Sequence, residues 1–433
     1  MKKIYERITA LLTAIVCSVG CISTLPSVSG NNASAEENAA SAASEGENII
    51  WELDSEGVLT ISGEGDMGEH TSPTDYPWYD SKDSIFEVVI EDGVTSVGNH
   101  AFHGCSSLES VTFPDSVEYI GSFALFQCNS LTSVNIPDSV TTIKNNAFHG
   151  CSSLESLTIG NNVTSIGEHA FNSCGSLTSL SIPDSVLTIG SYAFASCTGL
   201  TSVTIPDSVT SMGSSVFAGC SGLESAIISN GVTSIGAAAF YMCSSLTSVT
   251  IPDGFTSMEN QVFSGCNSLT SVTIPDSVTS IEDRAFAACR SLTSIIIPDS
   301  VTIIKNQAFY GCSGLTSITI PDSVTKIGSL AFYDCSSLTS ITFENPECEI
   351  EDLSDAIPSS AVICGYIGST AESYAEKYGR EFIDIESVTT TATTTTTTEL
   401  TTTITTTTTT TEPTTTTTTT TESTTTYCKR SYP

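Results

Sequence analysis

Three kinds of side chain in this sequence can do chemistry, and each recurs at one interval. Eleven cysteines stand 23 residues apart, from Cys105 and Cys128 to Cys312 and Cys335. Thiols offer nucleophiles, soft metal ligands or disulfides. Aspartate stands ten residues after the cysteine at Asp115, Asp138, Asp184, Asp207, Asp253, Asp276, Asp299 and Asp322, with Asn161 and Asn230 interspersed. Such a ladder of carboxylates can collect Ca²⁺; the competing reading is turn capping after proline. Hydroxyls come third. Serine stands five residues after the cysteine in all eleven copies, and threonine seven after in seven of them, with Asn135, Ser181, Ile227 and Ile296 as the exceptions.

None of these amounts to a catalytic constellation. The five histidines are His70, His100, His103, His149 and His169. His100 and His169 share a slot three repeats apart, roughly 14 Å at the spacing of stacked strands. His103 and His149 share another, two repeats apart. A metal needs its ligands within about 2.3 Å of one point, so neither pair shares an ion, and no metal or other cofactor is implied. Other repeats put Tyr, Ala, Asn or Ser in these slots, so the histidines read as surface turn residues. Serine beside aspartate is a product of the repeat, with no placed base to activate it. The cysteines fill one slot of an apolar pattern and read as free, buried thiols. Adjacent ones would reach bonding distance, but a bridge at every turn would impose a geometry the stack need not accept.

A strict period of 23 residues demands a stack of equivalent turns. Counting from the cysteine, Leu stands at +3 in all eleven copies, and Ile or Phe at +8. Val returns at +12 in nine of the ten copies that extend that far, with Phe255 in the other, Ile or Met at +15, and Phe at −3 except for Leu125. The Leu-x-x-Val-x-Ile run alternates like a strand with one face buried. Proline follows it in eight copies and ends it. The fold class is therefore a repeat solenoid: a parallel sheet of one short strand per 23-residue turn, a short helical or irregular convex side, and a cap at each end. The Ala-Phe-x-x-Cys segment is the expected helical or 3₁₀ piece.

The boundaries follow from composition. Lys2, Lys3 and Arg7, an apolar stretch from Ile8 to Ile22 and the small-residue site Ala33-Ser34-Ala35 read as an export signal over 1–35. Two alternatives are an uncut membrane anchor and a lipidated Cys21. Residues 36–50 read as a linker, 51–81 as an N-terminal β cap, 82–343 as the solenoid, and 344–386 as a C-terminal cap. Within that last cap, Ser369 and Gly379 bracket a short helix. Residues 387–433 read as an extended stalk, since 30 of the 38 residues from Thr389 to Thr426 are threonine. The formal net charge of −35 repels nucleic acid phosphates and anionic lipid, so contact with a membrane is left only to an uncut or lipidated N-terminus.

The Leu-x-x-Val-x-Ile-Pro-x-Ser-Val-x-x-Ile-Gly-x-x-Ala-Phe-x-x-Cys unit, the leading Trp51…Gly57-Val58-Leu59-Thr60-Ile61-Ser62-Gly63 segment and the closing Gly368-Ser369-Thr370-Ala371-Glu372 segment resemble the BspA-like class of bacterial leucine-rich repeat surface proteins, over roughly 51–385. The resemblance implies an exported or surface protein, some relatives adhering to host proteins or other cells. The outward strand positions then become the candidate ligand face: Ser110, Thr112, Ser133, Asn135, Ser156, Thr158, Ser179, Ser181, Ser202, Thr204, Ser248, Thr250, Ser271, Thr273, Ser317 and Thr319. Aromatics at −2 (Phe126, Tyr241, Tyr310, Tyr333) offer a second face. The expected function is a non-catalytic binding or adhesion module for a protein or glycan at the cell exterior. A structural spacer and an accessory module of a polysaccharide-degrading system are the alternatives.

Overall fold

Successive side chains of an extended chain point to opposite faces, and the repeats use this in register. Along Ser202–Ile205, Val203 and Ile205 are buried while Ser202 and Thr204 are exposed. The strand pairs in parallel with Ser225–Ile228, and that with Ser248–Thr250, each residue facing the one 23 positions on. The computed structural model describes residues 48–387. The expected export signal, most of the linker, and the threonine-rich segment beyond Ser387 lie outside the described residues.

The expectation of one strand per turn needs correction. Most turns carry a second, two-residue strand whose last residue is the +15 core position. Six of these pair in one parallel sheet from Ser96–Val97 to Ser211–Met212, and five in another from Ser257–Met258 to Glu349–Ile350. Val at +12 and Ile at +15 both face the core, which holds the chain extended between them and leaves its amides to the neighbouring turn.

The closing segment is also not helical. His100, Phe102 and Gly104 donate their N–H groups to Ser122, Ala124 and Phe126 of the next turn, at 2.9, 2.7 and 2.8 Å. The pattern repeats turn after turn, so a third hydrogen-bonded ladder runs up the stack. A helix would have used these groups internally. What turns them outward is left-handed backbone at positions −5 and −1. Gly104, Gly150, Gly219, Gly265 and Gly311 adopt it at −1, but seventeen non-glycine residues do so as well, among them Phe123 (φ 57°) and Leu330 (φ 56°). Each costs about 1–2 kcal/mol, an expense offset by the inter-turn bonds.

The core is built of columns. Every +3 leucine is fully buried, and the −3 phenylalanines from Phe148 to Phe332 stack with ring centroids 5.1–5.7 Å apart. Trp78 starts this column by stacking on Phe102 at 6.0 Å, and its indole N–H donates to the Ala101 carbonyl (2.6 Å), a group with no earlier closing segment to bond it. Each repeat cysteine from Cys128 onward places its Sγ 3.1–3.4 Å from the carbonyl of the −3 residue of the preceding turn, a phenylalanine except for Leu125 beneath Cys151. All eleven repeat cysteines are free thiols, as is Cys348; Cys364 is disulfide-bonded. A thiol fits this slot because its body is apolar and its S–H is a weak donor to a carbonyl.

At the leading end, Asn48–Leu53 and Val58–Glu64 form an antiparallel hairpin whose second strand pairs in parallel with Glu87–Ile90. The first strand begins at Asn48, inside the segment read as linker. At the other end a nine-residue helix, Thr370–Tyr378, is N-capped by the Ser369 side chain and closed by left-handed Gly379. It buries Ala371, Tyr374 and Ala375. The flanking strands Val362–Gly365 and Phe382–Asp384 extend the sheet.

Burial pushes the Cys151 thiol up to about 12, and those of Cys128, Cys174, Cys266, Cys289 and Cys312 well above the usual range. Their stabilising contribution is complete below about pH 8.5, where unfolded thiols are neutral, and is lost as pH rises through the folded values. Each buried thiol should cost about 1.4 kcal/mol of stability per pH unit above that point. Urea midpoints measured from pH 8 to 11 should therefore fall steeply. Cys151→Ala and Cys174→Ala should each flatten the slope by about one thiol's share.

Candidate functional site

The outward positions of the first strand form two columns along one face. Of the sixteen candidates, all are exposed except Ser110 and Thr319, which are half-buried. Where strands are continuous the columns are locked in register: Ser133 faces Ser156 and Asn135 faces Thr158, while Ser317 faces Ser340 and Thr319 faces Thr342. Thr112 is paired with Val89 and Ser110 with Glu87 of the leading turn. Thr273 makes a single bridge to Ile296. Ser179, Ser181 and Ser271 lie in stretches without a strand. Two isoleucines interrupt the hydroxyl column, Ile227 at 48% and Ile296 at 83% exposure.

Three of the sixteen come together with other groups. Asn135, Thr158 and Ser181 edge an open groove of about 790 Å³ that crosses the first four cysteine-bearing repeats. Its floor is Phe113, Ile136, Leu157 and Ile159; its rim carries Asp115, Asp138, Asn161 and Asn162. The remaining thirteen candidates lie outside it. The local cause is a departure from the repeat: Gly160-Asn161-Asn162 stands where neighbouring copies have Pro-Asp-Ser. A Cβ on Gly160 would run into the carbonyl oxygen of Pro137, so the backbone there lies too close to the preceding turn for any side chain. The Asp138 carboxylate accepts the Asn161 N–H at 2.7 Å, and the Asn162 side-chain amide donates to the Asp138 carbonyl at 2.8 Å. The break in the Pro-Asp-Ser pattern was the available signal, and the spacing alone did not weigh it.

The +10 aspartates are exposed. Asp138 and Asp207 each hold a main-chain N–H of the next turn, at Asn161 and Gly231. Among the described residues, no group of three or more His, Cys, Asp or Glu side chains is placed to hold a metal ion.

His100, His103, His149 and His169 sit in turns, as expected, but equal slots on successive turns also bring their rings face to face with aromatic neighbours. His100 stacks on Phe123 at 4.9 Å, His103 on Phe126 at 4.7 Å, Phe126 on His149 at 4.9 Å, and His169 on Tyr192 at 4.7 Å. All four histidines are half-buried. The Nδ1 atoms of His100, His103 and His149 are buried without a hydrogen-bond partner, so a proton placed there would have no acceptor. Burial lowers all three, with His100 adding to the effect on His103 and His169 to that on His149, while Asp75 opposes it at His100. Ring faces are used up within the stack, which leaves edges for solvent.

The family described as BspA type leucine-rich repeat region matches residues 75–199, 164–292 and 279–354. The chain belongs to that family. A leucine-rich repeat protein of Bacteroides ovatus is similar in structure, with 27% identity over 73% of this chain and 98% of the other, at a TM-score of 0.50. One from Eubacterium ventriosum shows 28% identity over 67% of this chain and 93% of the other, at a TM-score of 0.43. No curated protein matches the chain. Members of this family are surface-type binding or repeat modules and are typically non-catalytic.

Two expected outcomes follow from the site. Above about pH 6.5 the three histidines are neutral folded or unfolded; as pH falls below that, the unfolded chain takes up protons first and stability drops. Melting temperature should decline between pH 7 and 5. Replacing His100, His103 and His149 together by Asn, which already occupies both slots at Asn146 and Asn172, should flatten that decline. Gly160→Ala should lower stability by about 1–3 kcal/mol in a denaturation series.

Proposed function

We propose that this chain is an exported, non-catalytic module that binds a protein or glycan at the cell exterior along its outward strand face. The observation that carries the reading is the pair of hydroxyl columns. Fourteen candidate side chains are exposed, and where the strands are continuous the main chain beneath them is already bonded from turn to turn. Their hydroxyls and amides are thus left for a partner. Two exposed isoleucines on the same column, Ile227 and Ile296, add apolar contact points. A partner contacting several turns gains many weak bonds in one geometry, which suits an extended ligand better than a compact one.

The sheet face itself carries no charged candidate, so its selectivity comes from hydrogen bonding and shape. The overall charge of −35 directs the choice away from polyanions.

The test is a binding screen of the whole chain against arrays of extracellular proteins and polysaccharides. Replacing Ser202, Thr204, Ser248 and Thr250 with Glu places four carboxylates on two turns of the face, either side of the turn that carries Ser225 and Ile227. Binding to any captured ligand should drop at least tenfold with the melting temperature little changed. Undiminished binding by that variant would move the site off this face. Silence on both arrays would favour a spacer or coat component.

A further inference from the structure

Resting on that reading, we infer that the groove beside Gly160 is a subsite for a neutral oligosaccharide, which anchors a longer glycan chain on the strand face. Its size lies in the range of small-ligand clefts, about 300–1,000 Å³. The lining holds no lysine, arginine or histidine, while Asp115 and Asp138 stand exposed at the rim. Acidic ligands are therefore repelled. What remains is an alternation that matches a pyranose ring. Sugar hydroxyl edges meet the Asn135 amide and the Thr158 and Ser181 hydroxyls. The sugar's C–H face meets the floor.

That floor also argues against a protein anchor. Phe113 is 9% exposed and Ile136 1%, so little apolar surface is left for the large buried side chain that anchors protein contacts. A sugar needs less apolar area and more directed polar partners.

The site also opens onto the columns. Asn135, Thr158 and Ser181 belong to the same +7 column as Thr204 and Thr250. A chain seated in the groove can continue along that column at a rise of about 4.8 Å per turn, meeting hydroxyls at Thr204, Thr250 and Thr273 and an apolar contact at Ile227.

The experiment is titration calorimetry of the whole chain with neutral hexasaccharides (cellohexaose, xylohexaose, mannohexaose, maltohexaose) and with oligogalacturonate as the acidic arm. At least one neutral sugar should bind and the acidic one should not. The triple variant Asn135→Ala, Thr158→Ala, Ser181→Ala should weaken that binding at least tenfold at unchanged melting temperature. The single variant Thr158→Trp, which fills the groove from an exposed position, should abolish it. Neutral-sugar binding that survives both variants overturns the groove while leaving the strand-face reading intact. So does a chain that ignores every sugar yet captures a protein sensitive to the Ser202, Thr204, Ser248 and Thr250 replacements. Preference for oligogalacturonate overturns the charge argument and the inference with it. No binding in either screen removes both readings together.

Discussion

Main-chain amides of this protein find their partners in the same slot one turn away, and the remaining features answer to that. Three ladders run in parallel through the stack: the first strand, the two-residue second strand and the left-handed closing segment. An inserted residue would throw all three out of register at once. The bonds are reinforced by side chains working at the same interval. Thr164, Thr210, Thr279, Thr302 and Thr325 each donate a hydroxyl to the carbonyl 23 residues earlier. Asn260, Asp283 and Asn306 accept N–H groups from the following turn in the same way. Because each turn touches only its neighbours, stability accumulates along the stack instead of residing in one core.

Equivalence of slots also governs charge. Any side chain on this lattice sees its own kind about 4.8 Å above and below. A column of like charges would repel itself by around 1 kcal/mol per neighbour even in water. The strand face accordingly carries serine and threonine, and the aspartates sit at the turns, exposed to water. Two pairs that share a slot on adjacent turns are opposite in sign, Glu282–Lys305 and Lys326–Glu349, while the +10 aspartates repeat their sign where water screens them. The same logic converts four histidines into a ring stack: slots that carry aromatic residues on successive turns bring their faces together. The consequence is an acid-sensitive region near the leading end of the stack.

Function, on this view, arises where the repeat departs from itself. A perfectly regular wall would offer each ligand unit an identical contact at every turn and no starting point. Gly160-Asn161-Asn162 breaks the Pro-Asp-Ser rhythm, draws the backbone against Pro137 and opens a polar groove beside the hydroxyl columns. The strand pairing lapses nearby at Ser179–Ser181. The groove and the hydroxyl columns then lie side by side on one face.

Much of this was legible in the residues alone. The 23-residue period, the buried Leu, Phe and Val columns, the free thiols, the outward hydroxyls and the helix between Ser369 and Gly379 all follow from side-chain type and spacing, since burial alternation and capping are local properties. The second strand, the non-helical closing segment, the histidine stack and the groove were not. A two-residue strand has no local signature, because its energy is entirely in bonds to other turns. Left-handed phenylalanine and leucine contradict their own backbone preferences, and only the next turn's carbonyls make that conformation worthwhile. Glycine in five of the eleven −1 slots hinted at it, but the six others did not. Sequence determined what repeats and which side faces inward; the stacking of turns decided the backbone path between those points, because the hydrogen bonds that select it exist only once neighbouring turns are in place.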